Sequence, residues 1–330
     1  MQVFNKYPSI LALLFSVGLL SCESQPTKKS SVATDPIIEA PYKSELAATR
    51  KQFKTKLLVH NQQKEKPATP PKDLFSVLSF PTEIGNMDAY VSKIPDDGKL
   101  HPAIIWLTGG FGNGLDEVWV PQQPDYDETA DIFRRKGLIT MYPAQRGGNM
   151  SPGYEESFYG EIDDIIAARD FLAKQKGIDS NRIYIGGHST GGTKALLVVE
   201  STNKFRAAFC FGPVSSALLY GSDYLTYDMD NKQENILRAP GAWMKDIVTP
   251  TFILEGDAKD SNIDELKLLK KIVDKRAYQH IQFYELKGKN HFTGLQPASE
   301  AIAKELMADT GKEFKFGSGL PVELFGKSGE

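Results

Sequence analysis

The chain is constrained most by an alternation. Residues 103–107, 138–142, 182–185, 207–211, 251–254 and 281–286 are brief apolar runs rich in Ile, Val, Phe and Tyr, the signature of strands buried on both faces. Helical periodicity fills most of the intervals, at 161–176 (Ile162, Ile165, Ile166, Phe171 and Leu172 on one face), 192–201, 264–276 and 298–307. Strand and helix in turn predict an α/β fold with a mostly parallel central sheet and helices on both faces. Residues 75–81 and 87–94, separated by Gly85-Asn86, predict an antiparallel hairpin at the start of it. The alternation lapses only at 215–246, where Tyr220, Tyr224, Tyr227, Trp243 and Met244 are scattered among polar residues. An insertion following a strand lies over the ligand crevice of such a sheet, so this segment is expected to form a lid.

Composition fits one catalytic domain with tails. With 41% hydrophobic and 25% charged residues the chain can bury a sizeable core. A net charge of −3 supplies no basic field for phosphates, which excludes nucleic acid as an expected partner. The expected boundaries are a signal segment at 1–21, a tether at 22–72, a catalytic domain at 73–310 and a poorly ordered tail at 311–330 containing Gly317, Gly319, Gly326 and Gly329.

The first segment carries an address. Lys6 precedes an uncharged run at 10–20 that is too short to span a bilayer stably and reads as a signal peptide. Leu19-Leu20-Ser21-Cys22 then resembles the lipobox of bacterial lipoproteins, which implies lipidation of Cys22 and a membrane anchor in the bacterial cell envelope, on the periplasmic or extracellular side. Cys210 would remain as the single thiol, within an apolar run where it reads as a small buried hydrophobe. The segment from Glu23 to Pro71 is polar and closes with Pro67, Pro70 and Pro71. Its later part carries Lys43, Arg50, Lys51, Lys54, Lys56, Lys64, Lys66 and Lys72, charges that keep a tether solvated or favour an anionic membrane surface.

Chemistry concentrates at Gly187-His188-Ser189-Thr190-Gly191-Gly192, between a buried strand and a helix. This matches the nucleophile elbow G-x-S-x-G, whose neighbours must be small because strand and helix approach closely. A serine hydroxyl needs a base to take its proton. His60 falls in the tether, His101 and His280 lie at the wrong ends of strands and His188 is inside the elbow, which leaves His291, just after the last strand. The acid that orients the base should follow the preceding strand, where Asp257 is the first choice, Asp260 the second and Glu255 the third. Asp163 and Asp164 read as a solvated helix face. Oxyanion donors are expected from the Thr190 amide and from the loop Thr108-Gly109-Gly110-Phe111, at Gly110 and Phe111.

The order serine, acid, histidine, together with Thr108-Gly109-Gly110-Phe111, Leu254-Glu255-Gly256-Asp257 and Asn290-His291-Phe292, resembles the α/β-hydrolase superfamily on its prolyl-oligopeptidase and dienelactone-hydrolase-like side, over roughly residues 75–307. The resemblance implies a serine hydrolase acting through an acyl-enzyme without metal or organic cofactor. Two positions depart from the family pattern. Thr108 stands where the loop usually has His, and Lys259 stands three residues after Gly256 where the family has Asp. No propeller-like sequence precedes the domain here, which ranks small carboxylic esters above short peptides as the expected substrate. A serine peptidase of prolyl-oligopeptidase type is the second reading, and an inactive lipid-anchored binding protein the third.

Overall fold

A computed structural model describes residues 42–276, 278–311 and 314–326. The signal segment, Cys22 and the tether up to residue 41 lie outside the described residues. Eight strands form one sheet: β1 Phe75–Thr82, β2 Gly85–Ser92, β3 His101–Leu107, β4 Ile139–Pro143, β5 Ile178–His188, β6 Ala208–Phe211, β7 Thr251–Gly256 and β8 Ile281–Leu286. The helices are α1 Glu45–Gln52, α2 Ile132–Arg135, α3 Glu161–Leu172, α4 Thr190–Ser201, α5 Lys232–Leu237, α6 Pro240–Trp243, α7 Ile263–Asp274, α8 Leu295–Ala308 and α9 Val322–Phe325.

The strand order is β1-β2-β4-β3-β5-β6-β7-β8. β1 and β2 pair antiparallel, β2 runs antiparallel to β4, and β3 to β8 are parallel. The hairpin turns at Glu83-Ile84 rather than at Gly85-Asn86: Thr82 pairs with Gly85, which opens β2 at φ 130°. After β3 the chain steps to β4 and then returns across β3 to build β5. A crevice opens at such a reversal, at the carboxyl ends of β3 and β5.

Alternation along each strand sends side chains to two cores. Ile105, Ile183, Ile185 and Ile253 pack on one face, in the same cluster as residues of α3, α4 and α7. Ile104, Trp106, Tyr184, Phe252 and Leu254 pack on the other, in the same cluster as Phe133 of α2 and Leu295, Ile302 and Leu306 of α8.

Both expected tails are corrected where they are described. Residues 42–72 dock on the domain: Ser44 caps α1 by accepting from the Ala47 amide at 2.8 Å, Leu46 is fully buried, and its amide donates to Asp246 Oδ2 at 2.8 Å. Arg50 donates to the Tyr159 carbonyl and to Asp163, both at 2.7 Å, and the Leu58 amide donates to the Thr226 carbonyl at 2.7 Å. A polar average conceals such a segment, because one leucine and specific hydrogen bonds hold it. In the C-terminal stretch Phe316 packs on Phe252 with ring centroids 4.2 Å apart, Leu324 and Phe325 are buried, and the Lys287 amide donates to the Leu324 carbonyl at 2.9 Å. Its aromatics complete the second core without helical spacing. Asp164 is also not a solvated helix position, since its buried carboxylate grips Arg146 Nε and Nη2 at 2.9 Å each.

Candidate active site

β5 ends at His188 and α4 begins at Thr190, so Ser189 is the hinge between them, at φ 56° and ψ −116°. A side-chain-bearing residue in that conformation costs about 1–3 kcal/mol and persists only where its surroundings enforce it. Here the Ser189 amide donates to the Phe211 carbonyl at 2.8 Å. A Cβ on Gly191 would collide with the Leu107 carbonyl, and one on Gly187 would lie 2.5 Å from the Gly191 carbonyl carbon. The glycines of the elbow are therefore demanded by the approach of α4 to β3 and β5.

His291 lies in the loop between β8 and α8. Its Nδ1 is 2.8 Å from Glu255 Oε2, and the two side chains are 13% and 2% exposed. Glu255 is fixed in turn: Oε1 accepts from the Gly256 amide at 2.6 Å and Oε2 from the Asn262 amide at 3.1 Å. A carboxylate on Nδ1 holds the proton there and leaves Nε2 as the acceptor. The ring and the carboxylate both crowd Gly212, at the exit of β6, where φ is 56° and any Cβ would strike His291 Cε1.

Asp257, the first-choice acid, does not meet His291. Its Oδ1 accepts from the Gly288 amide at 2.7 Å and its Oδ2 faces Lys287 Nζ at 3.3 Å. Asp260, at φ 63°, touches the histidine only through its backbone, its carbonyl accepting from the His291 amide at 3.2 Å. The third-ranked Glu255 takes the position because it is still on β7, whose end faces the His291 loop, and its extra methylene spans the gap. Asp257 has already left the strand.

The glycine loop rests on the elbow: a Cβ on Gly109 would be 3.4 Å from Ser189 Cβ. Thr190 Oγ1 donates to the Gly110 carbonyl, and Gly110 has φ 89°. Carbonyl and amide of one trans peptide point to opposite sides, so this bond turns the Phe111 N–H away from Thr190 Oγ1. Phe111, 37% exposed, stacks on Tyr224 at 4.0 Å and meets Tyr220 edge-on at 5.4 Å. The Tyr220 hydroxyl is 2.7 Å from Thr193 Oγ1 on α4, and its ring stacks on Phe158 at 5.2 Å. The insertion 215–246 consists of short helical turns that bring these tyrosines onto the glycine loop. A cavity of about 20 Å³ is left among Gly110, Phe111, Glu155, Ser157, Phe158 and Tyr224.

Sequence reasoning missed two neighbours. His188 is fully buried, with Nδ1 3.2 Å from Glu128 Oε2 and Nε2 2.9 Å from the His291 carbonyl, and its ring centroid lies 4.4 Å from that of His291. Burial pulls the His188 pKa down. Burial opposes ionisation of Glu128, but the hydrogen bond from His188 and the charges of His188 and His291 prevail and hold its carboxyl below the ordinary value. Glu128 belongs to no motif, and only the fold brings it to the elbow. The second is Lys194, which lies under the loop and donates to Asn113 Oδ1 at 2.8 Å and Gln145 Oε1 at 2.6 Å; burial lowers its pKa. Among the described residues no three His, Cys, Asp or Glu side chains are grouped to hold a metal ion.

The chain is similar to known proteins. Over residues 124–310 the chain matches the family model described as the prolyl oligopeptidase family. It is 30% identical over 156 residues to a protein of Bacillus subtilis named uncharacterized peptidase YuxL, and 27% identical over 139 residues to dipeptidyl-peptidase 5 of Porphyromonas gingivalis. These matches take in 41% and 39% of this chain, and 23% and 19% of those proteins, so the chain spans less than a quarter of either relative. Among solved structures, Porphyromonas gingivalis dipeptidyl peptidase 4 superposes with a TM-score of 0.57 at 19% identity, over 71% of this chain and 35% of that one. An esterase of Pyrobaculum calidifontis superposes at 0.53 and 17%, over 72% and 87%. Both likenesses are those of the α/β-hydrolase fold. Since the family model matches more than half of the sequence, and its span contains the elbow, Glu255 and His291, the chain belongs to the prolyl oligopeptidase family.

Proposed function

We propose that the protein is a serine hydrolase that cleaves small carboxylic esters through an acyl-enzyme, with Ser189 as nucleophile, His291 as general base and Glu255 as the acid that orients it. The observation that carries this reading is the 2.8 Å contact between His291 Nδ1 and a carboxylate already fixed by two amides, and it is supported by the strained elbow that holds Ser189. In the first half-reaction Ser189 Oγ bonds to the acyl carbon while His291 Nε2 takes its proton. That proton then passes to the departing alkoxide. Water, deprotonated by the same nitrogen, then attacks the acyl carbon, and Ser189 Oγ leaves as it takes that proton from His291, releasing the acid. The amides of Thr190 and of Gly110 or Phe111 are the donors for the oxyanion.

A small acyl group is favoured because Phe111, stacked on Tyr224 and met edge-on by Tyr220, crowds the side of the glycine loop. The second reading is a serine peptidase, favoured by the family match. Labelling with a fluorophosphonate, followed by peptide mapping, tests the shared chemistry: label on Ser189 that vanishes in His291→Ala supports it, and a folded protein that takes no label overturns it in favour of a binding role. Turnover of p-nitrophenyl acetate with poor cleavage of aminoacyl p-nitroanilides supports the ester reading, and the reverse preference replaces it with the peptidase. Anchorage through Cys22 in the bacterial envelope belongs to the same proposal. Radiolabelled palmitate incorporated into the wild type but not into Cys22→Ala supports it, and a wild type that incorporates none overturns it.

A further inference from the structure

Residues 58–63 have the composition of a tether, yet they cross the domain beside the glycine loop as a strap. At one end the Leu58 and Val59 amides both donate to the Thr226 carbonyl of the insertion, at 2.7 and 3.1 Å. In the middle the Asn61 carbonyl accepts from the Glu155 amide at 3.0 Å, and the Asn61 side chain and the Asn113 amide hydrogen-bond the Glu155 carboxyl. At the other end the Gln63 amide donates to the Gly147 carbonyl at 2.7 Å, and Gln63 Oε1 accepts from the Asn149 amide at 2.9 Å. The Gln63 side chain rests on the glycine loop: a Cβ on Gly114 would collide with its Oε1, and one on Gly112 would lie 3.6 Å from its Nε2. Backbone groups make most of these bonds, so they leave no hydrophobic pattern in the sequence.

The anchors of the strap surround the cavity beside the glycine loop. Glu155 and Ser157 line that cavity with Gly110, Phe111, Phe158 and Tyr224. Thr226, which holds Leu58 and Val59, donates its own amide to Ser157 Oγ at 2.9 Å. Residues 58–63 are all exposed, so a single layer of chain forms the wall on this side. The chemistry says which part of an ester meets it. The alcohol leaves on the His291 side, because His291 Nε2 must hand it a proton, and the oxyanion faces the Thr190 and glycine-loop amides. The acyl chain is left to run past Phe111, toward the cavity and the strap.

We propose that residues 58–63 are the end wall of the acyl site, with Asn61 and Gln63 as specificity-determining residues that confine the enzyme to short acyl groups. The inference rests on the reading of Ser189 and His291 as nucleophile and base. It deepens that reading by placing the determinant of acyl length before the first strand, outside the residues 124–310 that match the family model.

The test is kcat/KM for p-nitrophenyl acetate, butyrate and hexanoate on the full chain, with fluorophosphonate labelling of Ser189 alongside. The quantity read is the ratio of hexanoate to acetate, because a general loss of folded enzyme lowers both and cancels. The wild type should favour acetate over hexanoate by about tenfold or more, since the longer chain must displace the strap from its hydrogen bonds. Replacing both side chains, Asn61→Ala with Gln63→Ala, should raise the ratio at least about tenfold. A wild type that takes hexanoate as readily as acetate, or a double variant with the wild-type ratio, overturns the inference. Should the double variant fail to fold, wild type nicked by trypsin after the exposed Lys64, with the cut confirmed by mass, decides: a raised ratio supports the proposal, and an unchanged one overturns it. A folded wild type that takes no label defeats the catalytic reading and this inference with it, whereas labelling of Ser189 with an unaltered ratio defeats the inference alone.

Discussion

His291 Nδ1 is 2.8 Å from Glu255 Oε2, while Asp257, only two residues along the chain, gives its carboxylate to the Gly288 amide at 2.7 Å. One carboxylate orients an imidazole and the other closes a turn. Glu255→Gln should therefore lower kcat about 10³- to 10⁴-fold, because the amide can stabilise neither the required tautomer nor the imidazolium. Asp257→Asn and Asp260→Asn should stay within about threefold of the wild type, since neither side chain meets the ring. Steady-state ester hydrolysis by the three variants checks the assignment, and a collapse of activity in Asp257→Asn with Glu255→Gln unharmed would refute it.

Gly212 is the place where backbone conformation and site geometry coincide. At φ 56°, with His291 Cε1 in the path of any Cβ and Glu255 Oε2 2.7 Å from it, Gly212→Ala must displace the histidine or the carboxylate. The expected result is a loss of at least about 100-fold in kcat, comparable with a misplacement of about 1 Å in a catalytic group. Thermal melting of the same variant measures how much of the change is strain throughout the domain.

Leu46 tests whether residues 42–72 belong to the folded unit. It is fully buried, and Leu46→Ala should destabilise the protein by about 2–4 kcal/mol, as deletion of a core leucine does. Urea denaturation reads this directly. A midpoint equal to that of the wild type would mean that the segment is a tether.

Glu200 predicts a pH dependence of stability. It is fully buried on α4, neither carboxylate oxygen has a partner, and burial, with the charge of Asp246 added, raises its pKa well above the ordinary value. In the unfolded chain this carboxyl loses its proton near about pH 4.3, whereas the folded protein keeps it. The unfolded state then binds fewer protons, so this contribution to stability is complete below that pH and is lost progressively as pH rises toward the folded pKa. Glu200→Gln removes the titration. Its melting temperature should fall less between about pH 5 and pH 8 than that of the wild type. Parallel slopes for the two proteins would reject the buried-carboxyl account.

Part of this protein could be read from residue order alone. The alternation of apolar strands with amphipathic helices implies a parallel sheet, because strands buried on both faces leave no polar alternation and helices must cover them. The elbow is legible because Gly187, Ser189 and Gly191 answer a local steric problem, and His291 because it alone among the histidines follows the carboxyl end of a late strand in the required order. Such features depend on contacts between near neighbours in the chain, or on the order of elements.

The tertiary structure decided what depends on reach and on distant partners. Which of three acids meets His291 turns on where β7 ends and on one methylene of side-chain length, neither of which has a periodic signature. Leu46 and Phe316 lie in segments whose average polarity resembles that of a tail, yet each fills a place prepared by residues far along the chain. Glu128 is distant in sequence from the elbow, and only the return of the chain across β3 to build β5 brings His188 to its loop. Local sterics and hydrophobic period determine the scaffold from sequence. Contacts between distant groups, specific in distance and in proton count, exist only once the chain has folded.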